Sequence, residues 1–277
     1  MKILIGAATL VAATTMLLGL SAPVLASGDD DNGDRREIGD YEFSSGSPDF
    51  VHGVPINPEE AWTLAVGGRI YDNWWNALDV AEPRGTHPAY PEIGQKSGEQ
   101  TWRCKSCHGW DFLGKDGIYA EGSSNYTGIG GITGAIGRPV EQIAALLRDE
   151  NHLYTTDMIN DEQMGWVAAF VSRGQIDVAK YIDLTTRTMI PGAGDISRGR
   201  GIFQTVCAAC HGFDGRLLDW GDGDSSNFVG TEASELPDEV LHKVLSSHPG
   251  AAMVNLRAFP VQFSVDVVAY AATLPVD

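Results

Sequence analysis

Cysteine is scarce in this chain: 277 residues contain four. Cations are scarce too, with 19 Lys and Arg against 37 Asp and Glu and a formal net charge of −18. Phosphate backbones and anionic membrane surfaces are bound by clustered Lys and Arg, so nucleic acid and such membranes are excluded as expected partners. Beyond the first twenty residues no apolar run is long enough to span a bilayer. From Ser27 to about Pro48 apolar residues nearly vanish, and Asp29-Asp30-Asp31 and Ser44-Ser45-Gly46-Ser47 dominate. Such a stretch lacks the surface needed to offset chain entropy, and a disordered tail is expected there.

The four cysteines fall into one pattern used twice, Cys104-Lys105-Ser106-Cys107-His108-Gly109 and Cys207-Ala208-Ala209-Cys210-His211-Gly212. None is left for a disulfide, a thiolate ligand or a catalytic thiol. In Cys-x-x-Cys-His the two thiols are spaced to form thioethers with the haem vinyl groups, and the adjacent imidazole reaches the iron from the same side. Two covalently bound haem c groups are expected, with Cys104, Cys107, Cys207 and Cys210 as attachment points and His108 and His211 as iron ligands. A zinc ribbon places its Cys pairs roughly 15–20 residues apart, and these pairs are far more distant. A redox dithiol needs only one pair. Neither alternative calls for His after the second Cys in both copies.

The first residues carry Lys2, an apolar run from Ile3 to Leu20, and Ala22-Pro23-Val24-Leu25-Ala26 before polar Ser27. This is the pattern of a secretory signal peptide cut after Ala26, and no Cys follows the cut to take a lipid anchor. Periplasmic localisation is expected, in agreement with haem attachment, which in bacteria takes place outside the cytoplasmic membrane. Loss of residues 1–26 removes only Lys2 among the charges and takes the net charge from −18 to −19. An acidic carrier docks on redox partners through a basic patch of theirs.

Order is expected to begin near Pro58-Glu59-Glu60, where Pro and two acids open a helical pattern. Residues 58–91, with Gly67-Gly68-Arg69-Ile70-Tyr71-Asp72-Asn73-Trp74-Trp75, read as an aromatic extension packed on the first haem unit. The units then recur. Gly98-x-x-x-Trp102 leads into Cys104 and Gly199-x-x-x-Phe203 into Cys207, the first pair standing two residues closer to its cysteine. A Gly-rich loop follows each motif, then a Pro-led amphipathic helix at Pro139–Leu147 or Pro237–Leu245. A loop bearing one Met comes next, and a closing helix over about Asp161–Ser172 or Val261–Thr273. The run Gly128-Ile129-Gly130-Gly131-Ile132-Thr133-Gly134 reads as a haem-wrapping loop, since Thr133 replaces the third glycine of a dinucleotide fingerprint and no strand precedes it.

Each unit resembles a small class I cytochrome c. The resemblance rests on Gly and an aromatic before Cys-x-x-Cys-His, a Met downstream and a C-terminal helix, and it covers residues 92–175 and 194–277. It implies an all-α fold of two tandem cytochrome c-like domains, joined by a linker over 176–193 and preceded by the signal peptide (1–26), the acidic tail (27–57) and the extension (58–91). It also implies Met158 and Met253 as the sixth iron ligands, 50 and 42 residues after their histidines. Pro often follows that Met in the family; Ile159 and Val254 follow here. Met164 reads as core packing, and Met189 precedes the second motif. His152 and His248, a few residues before the favoured Met in each unit, are the competing ligands, with His52, His87 and His242 behind them.

His/Met ligation gives closed, high-potential haems, so the expected function is single-electron transfer between redox partners rather than catalysis. Two other readings stand beside it. One is a dihaem oxidoreductase with an open haem acting on a small inorganic substrate. The other is a cytochrome subunit of a larger complex, with Trp74 and Trp75 at the interface.

Overall fold

The computed structural model describes residues 51–221 and 225–276. The expected signal peptide, and the acidic tail as far as residue 50, lie outside the described residues. All described residues belong to one compact unit spanning 36–277. The secondary structure is predominantly helical, in keeping with the expected all-α class, with one two-stranded hairpin. No helix among the described residues is long and apolar enough to cross a membrane.

The longest helix, α1 (Glu60–Leu78), starts where Pro58 and the acids predict. It is interrupted at Asn73, whose backbone is extended, and stops at Asp79 in the left-handed conformation. Ile70, Tyr71, Asp72 and Trp74 are almost wholly inaccessible, so α1 is enclosed rather than amphipathic. Two adjacent glycines permit this. Gly67 lies against the Trp166 carbonyl and the Phe170 Cβ of the first closing helix, and Gly68 against Ser246 of the second half.

The chain then runs through a long irregular segment to a three-ten turn at Gly98–Trp102 and the one-turn helix α2 (Cys104–His108). Helix α3 (Val140–Leu147) follows Pro139. Helix α4 (Asp161–Ala169) opens on a capping box, Asn160 Oδ1 accepting from the Gln163 N–H at 2.9 Å and Gln163 Oε1 from the Asn160 N–H at 2.9 Å. It continues as a π-turn over Phe170–Gly174.

Residues 176–193 hold a turn at Val178–Lys180 and an antiparallel hairpin, β1 (Ile182–Asp183) with β2 (Thr188–Met189), in the register Ile182↔Met189. Arg187 at its tip donates to both carboxylate oxygens of Asp238, at 2.8 and 3.0 Å, and joins the linker to the second half.

In that half, Asp195 caps α5 (Ile196–Ile202) by accepting from the Ser197 and Arg198 N–H groups. A π-turn over Phe203–Cys207 leads into α6 (Ala208–His211). Then come α7 (Val229–Glu235), which the sequence reading did not anticipate, α8 (Pro237–Ser246) and α9 (Val261–Ala271).

Two helix crossings organise the halves in the same way. Gly199 of α5 sits against the Asp266 carbonyl and the Tyr270 Cβ of α9, as Gly67 of α1 sits against Trp166 and Phe170. The helix that crosses the first closing helix is therefore α1, and the pattern Gly67-x-x-x-Tyr71 is the counterpart of Gly199-x-x-x-Phe203. The expected counterpart, Gly98-x-x-x-Trp102, forms a three-ten turn, and a Cβ on Gly98 would meet nothing within 4 Å.

The halves meet where α8 lies on α1. His242 of α8 is buried among Tyr71, Trp110, Phe112 and Phe170, and its Nε2 is 2.8 Å from the Gly68 carbonyl oxygen. Burial lowers its pKa from 6.5 to about 4; nearby Asp72 opposes the shift, and the Arg257 and Lys243 cations add to it. Because the folded state favours the neutral ring, the stability it contributes is complete above pH 6.5 and is lost as the pH falls toward 4. The loss approaches about 3 kcal/mol. Thermal midpoints measured between pH 7 and 4 are expected to fall accordingly, and His242→Phe to flatten this part of the profile.

Candidate functional site

The first motif is a single helical turn with Cys104 and Cys107 three residues apart and His108 at its end. Its last residue must be glycine: Gly109 has φ 77° and donates its N–H to the Lys105 carbonyl at 3.0 Å. Ser106, fully buried, donates to the Gln100 carbonyl at 2.7 Å, and Tyr71 of α1 donates to the Gly109 carbonyl at 2.6 Å. The motif is thus braced from both sides.

The second motif repeats this construction. Gly212 has φ 81° and donates to the Ala208 carbonyl at 2.9 Å. The His211 carbonyl accepts from the Leu217 N–H at 3.0 Å, as the His108 carbonyl accepts from Gly114 at 2.9 Å.

All four thiols are free. Burial pushes the Cys104 and Cys207 thiols up to about 11 and Cys107 up to about 12. A disulfide-exchange dithiol needs a lowered thiol pKa, so this environment disfavours that chemistry. Among the described residues no group of three His, Cys, Asp or Glu side chains is placed to hold a bare metal ion.

The Gly-rich run folds back on the segment that follows the first motif. Gly130 pairs with Gly114 in an antiparallel bridge, Ile132 donates to the Phe112 carbonyl at 2.8 Å, and the Gly130 carbonyl lies 2.8 Å from His108 Nδ1. A carbonyl accepts only, so Nδ1 carries the proton and Nε2 is left to act as a ligand.

Across from His108 stands His152, with ring centroids 6.4 Å apart and planes inclined by 29°. Its Nδ1 is 3.1 Å from Asp149 Oδ1, the same oxygen that accepts the His152 backbone N–H. Its carbonyl accepts from His87 Nε2 at 2.9 Å. The Ala89 N–H donates to His87 Nδ1, so the His87 proton is on Nε2. His87, ranked low as a ligand, thus supports the His152 loop from behind.

Leu153 has φ 59°, a conformation that a branched side chain rarely takes, and it turns the chain directly after His152. Tyr154 then donates to the Trp102 carbonyl at 2.8 Å and stands 3.7 Å from Cys104 Sγ. Met158 lies further along the same loop, half-buried and packed against the hydrophobic core.

In the second half the rings beside His211 are Trp220, at 5.8 Å, and Phe203, at 6.5 Å. His248 turns its Nδ1 to the Pro249 carbonyl, and burial lowers its pKa. Met253 is half-buried, its carbonyl accepting from Ser247 Oγ at 2.7 Å.

Two buried ring nitrogens next to the motifs have no hydrogen-bond partner, Trp74 Nε1 and His211 Nδ1. Trp74 adjoins Tyr154, which adjoins Cys104. Folded proteins pair nearly all such groups, and an acidic cofactor held beside the first motif would supply Trp74 Nε1 with an acceptor. Together with the donor set of two thiols and one imidazole per motif, these residues fit haem. No protein-family model matches the chain, and no curated protein matches it.

Proposed function

We propose that this chain is an exported dihaem c-type cytochrome that passes single electrons between redox proteins. Cys104, Cys107 and His108 would hold one haem, and Cys207, Cys210 and His211 the other. The observation that carries the reading is the duplicated construction of the two motifs, each a Cys-x-x-Cys-His turn closed by a positive-φ glycine with the His carbonyl tied to the sixth residue beyond. The paired crossings of α1 with α4 and of α5 with α9 support two class I cytochrome c-like halves.

Bound haem supplies one-electron cycling of iron between Fe(III) and Fe(II). The residues of the chain do the rest. The thiols would fix the group covalently, the Gly130 carbonyl orients His108, and Met253 would supply the second ligand at the His211 site. Aromatic packing keeps water from the metal. The acidic surface favours a salt-sensitive encounter with partners that carry a basic patch. Export by the N-terminal segment places the protein in the periplasm.

The test is expression with export and a covalent haem-attachment system. Intact mass is expected to exceed the polypeptide by two haems, and the double variant Cys207→Ala/Cys210→Ala by one. The dithionite-reduced spectrum is expected to be unchanged by carbon monoxide. A chain that carries no covalent haem overturns the cofactor reading, and ready carbon monoxide binding by the native protein overturns the carrier reading in favour of a catalyst.

A further inference from the structure

We propose, resting on the dihaem reading above, that the iron at the first motif is closed by His152 opposite His108, and that Met158 is a packing residue. The argument is geometric. Imidazole nitrogens bind first-row metals at about 2.0 Å, and the ring centre lies about 1.1 Å beyond the nitrogen. Two imidazoles on opposite sides of one iron therefore have centroids about 6.3 Å apart. The His108 and His152 ring centroids are 6.4 Å apart, the separation such a pair requires.

Both rings are engaged at Nδ1, by the Gly130 carbonyl and by the Asp149 carboxylate. Each therefore has Nε2 left for a metal, and a carboxylate behind a ligating imidazole fixes its orientation and raises its basicity. The His152 loop is also held in place. His87 anchors its carbonyl, Leu153 adopts the left-handed turn, and Tyr154 ties the next residues to Trp102 and Cys104. The wall facing the first cysteine and the wall facing His108 thus belong to one braced segment.

The second half lacks this arrangement. The rings nearest His211 are Trp220 and Phe203 rather than a histidine. The two irons would then differ. Thioether ligation raises a haem potential, so the bis-imidazole iron of the first half is the lower of the two and the His211 iron the higher. An electron entering at the first half would come to rest on the second, which gives the protein a direction.

Near-infrared absorption of the oxidised protein, where a methionine–iron bond gives a charge-transfer band, decides between the ligand sets without any variant. The proposal expects one such band per two haems, and band intensity for both haems overturns it. Among variants, Met158→Leu is expected to keep the spectrum and both potentials. His152→Ala is expected to admit one carbon monoxide per chain in the reduced state, and His152→Met to move one potential upward while leaving the other. Carbon monoxide uptake by Met158→Leu but not by His152→Ala overturns the assignment. Intact mass separates the two levels of argument: absence of covalent haem fails the parent reading, whereas two haems with two methionine bands fail only this one.

Discussion

Replacing Gly199 with alanine is expected to destabilise the protein by about 3 kcal/mol, lowering the thermal midpoint by roughly 6–12 °C. Gly to Ala within a helix ordinarily stabilises, by about 0.5–1 kcal/mol, because glycine loses the most backbone freedom on folding. At Gly199 the added methyl would stand inside 3.0 Å of the Asp266 carbonyl, and a backbone atom does not yield as a flexible side chain does. The helices α5 and α9 would have to separate along their whole crossing, losing close-packed contacts on both faces. Gly201, two residues on in the same helix, provides the control, since a Cβ there meets nothing within 4 Å. Gly201→Ala should therefore stabilise by the ordinary amount. Opposite signs in one helix, read by thermal or urea unfolding, would establish the crossing. Equal signs would refute it. Gly67→Ala should behave as Gly199→Ala does, for its methyl would meet the Trp166 carbonyl and Phe170.

The same glycines mark how far the architecture was legible in the sequence. Features with local physical signatures could be read directly. The Pro-led helices at 139 and 237, the closing helices after Asn160 and Pro260, and the two cysteine motifs each announce themselves by start signals or spacing. The sequence aligns the nearer Gly-x-x-x-aromatic, at Gly98, with Gly199, because each runs directly into its cysteine motif. The signal against this was present: Gly98 stands two residues closer to its cysteine than Gly199 does. A helix turned by two residues presents a different face, so the two positions were never equivalent. A better match, Gly67-x-x-x-Tyr71, lay in the segment set aside as an extension, and the irregular stretch from Asp79 to Arg103 that separates it from the motif has no period to read.

Helix α7 was missed because seven residues with two buried apolar side chains, Val229 and Ala233, form too short a stripe. The choice between His152 and Met158 is of another kind. Five residues in one loop separate them, and which one turns toward His108 depends on the left-handed turn at Leu153 and on anchors from His87 and Asp149. Such tertiary contacts leave no trace in spacing. The place of Asp72 was hidden for the same reason, since nothing near it in sequence supplies its charge partners.

Asp72→Ala is expected to cost about 3–5 kcal/mol, the range for removing one member of a buried ion pair. The carboxylate is wholly inaccessible and lies in the middle of α1. Burial by itself would raise its pKa, but Lys243 and Arg103 outweigh that and hold it well below the ordinary carboxylate range. Arg103 reaches it by an Nη2 contact to Oδ1 and donates Nε–H to the Asp72 carbonyl at 2.7 Å, while Lys243 Nζ is 2.6 Å from Oδ2. These three residues come from α1, from the position directly before Cys104, and from α8 of the second half. One carboxylate therefore ties the first motif to both halves, and its loss leaves two largely buried cations facing each other. Urea unfolding should show the loss at pH 7. Since the folded-state pKa is depressed, the contribution is complete above about pH 4 and disappears as the pH falls below it. Asp72→Ala made on top of Lys243→Met should cost less than the sum of the single changes, because the second cation is already gone. Additive costs would show that the pair does not couple the halves. A native-like midpoint for Asp72→Ala alone would show that the carboxylate bears no load there.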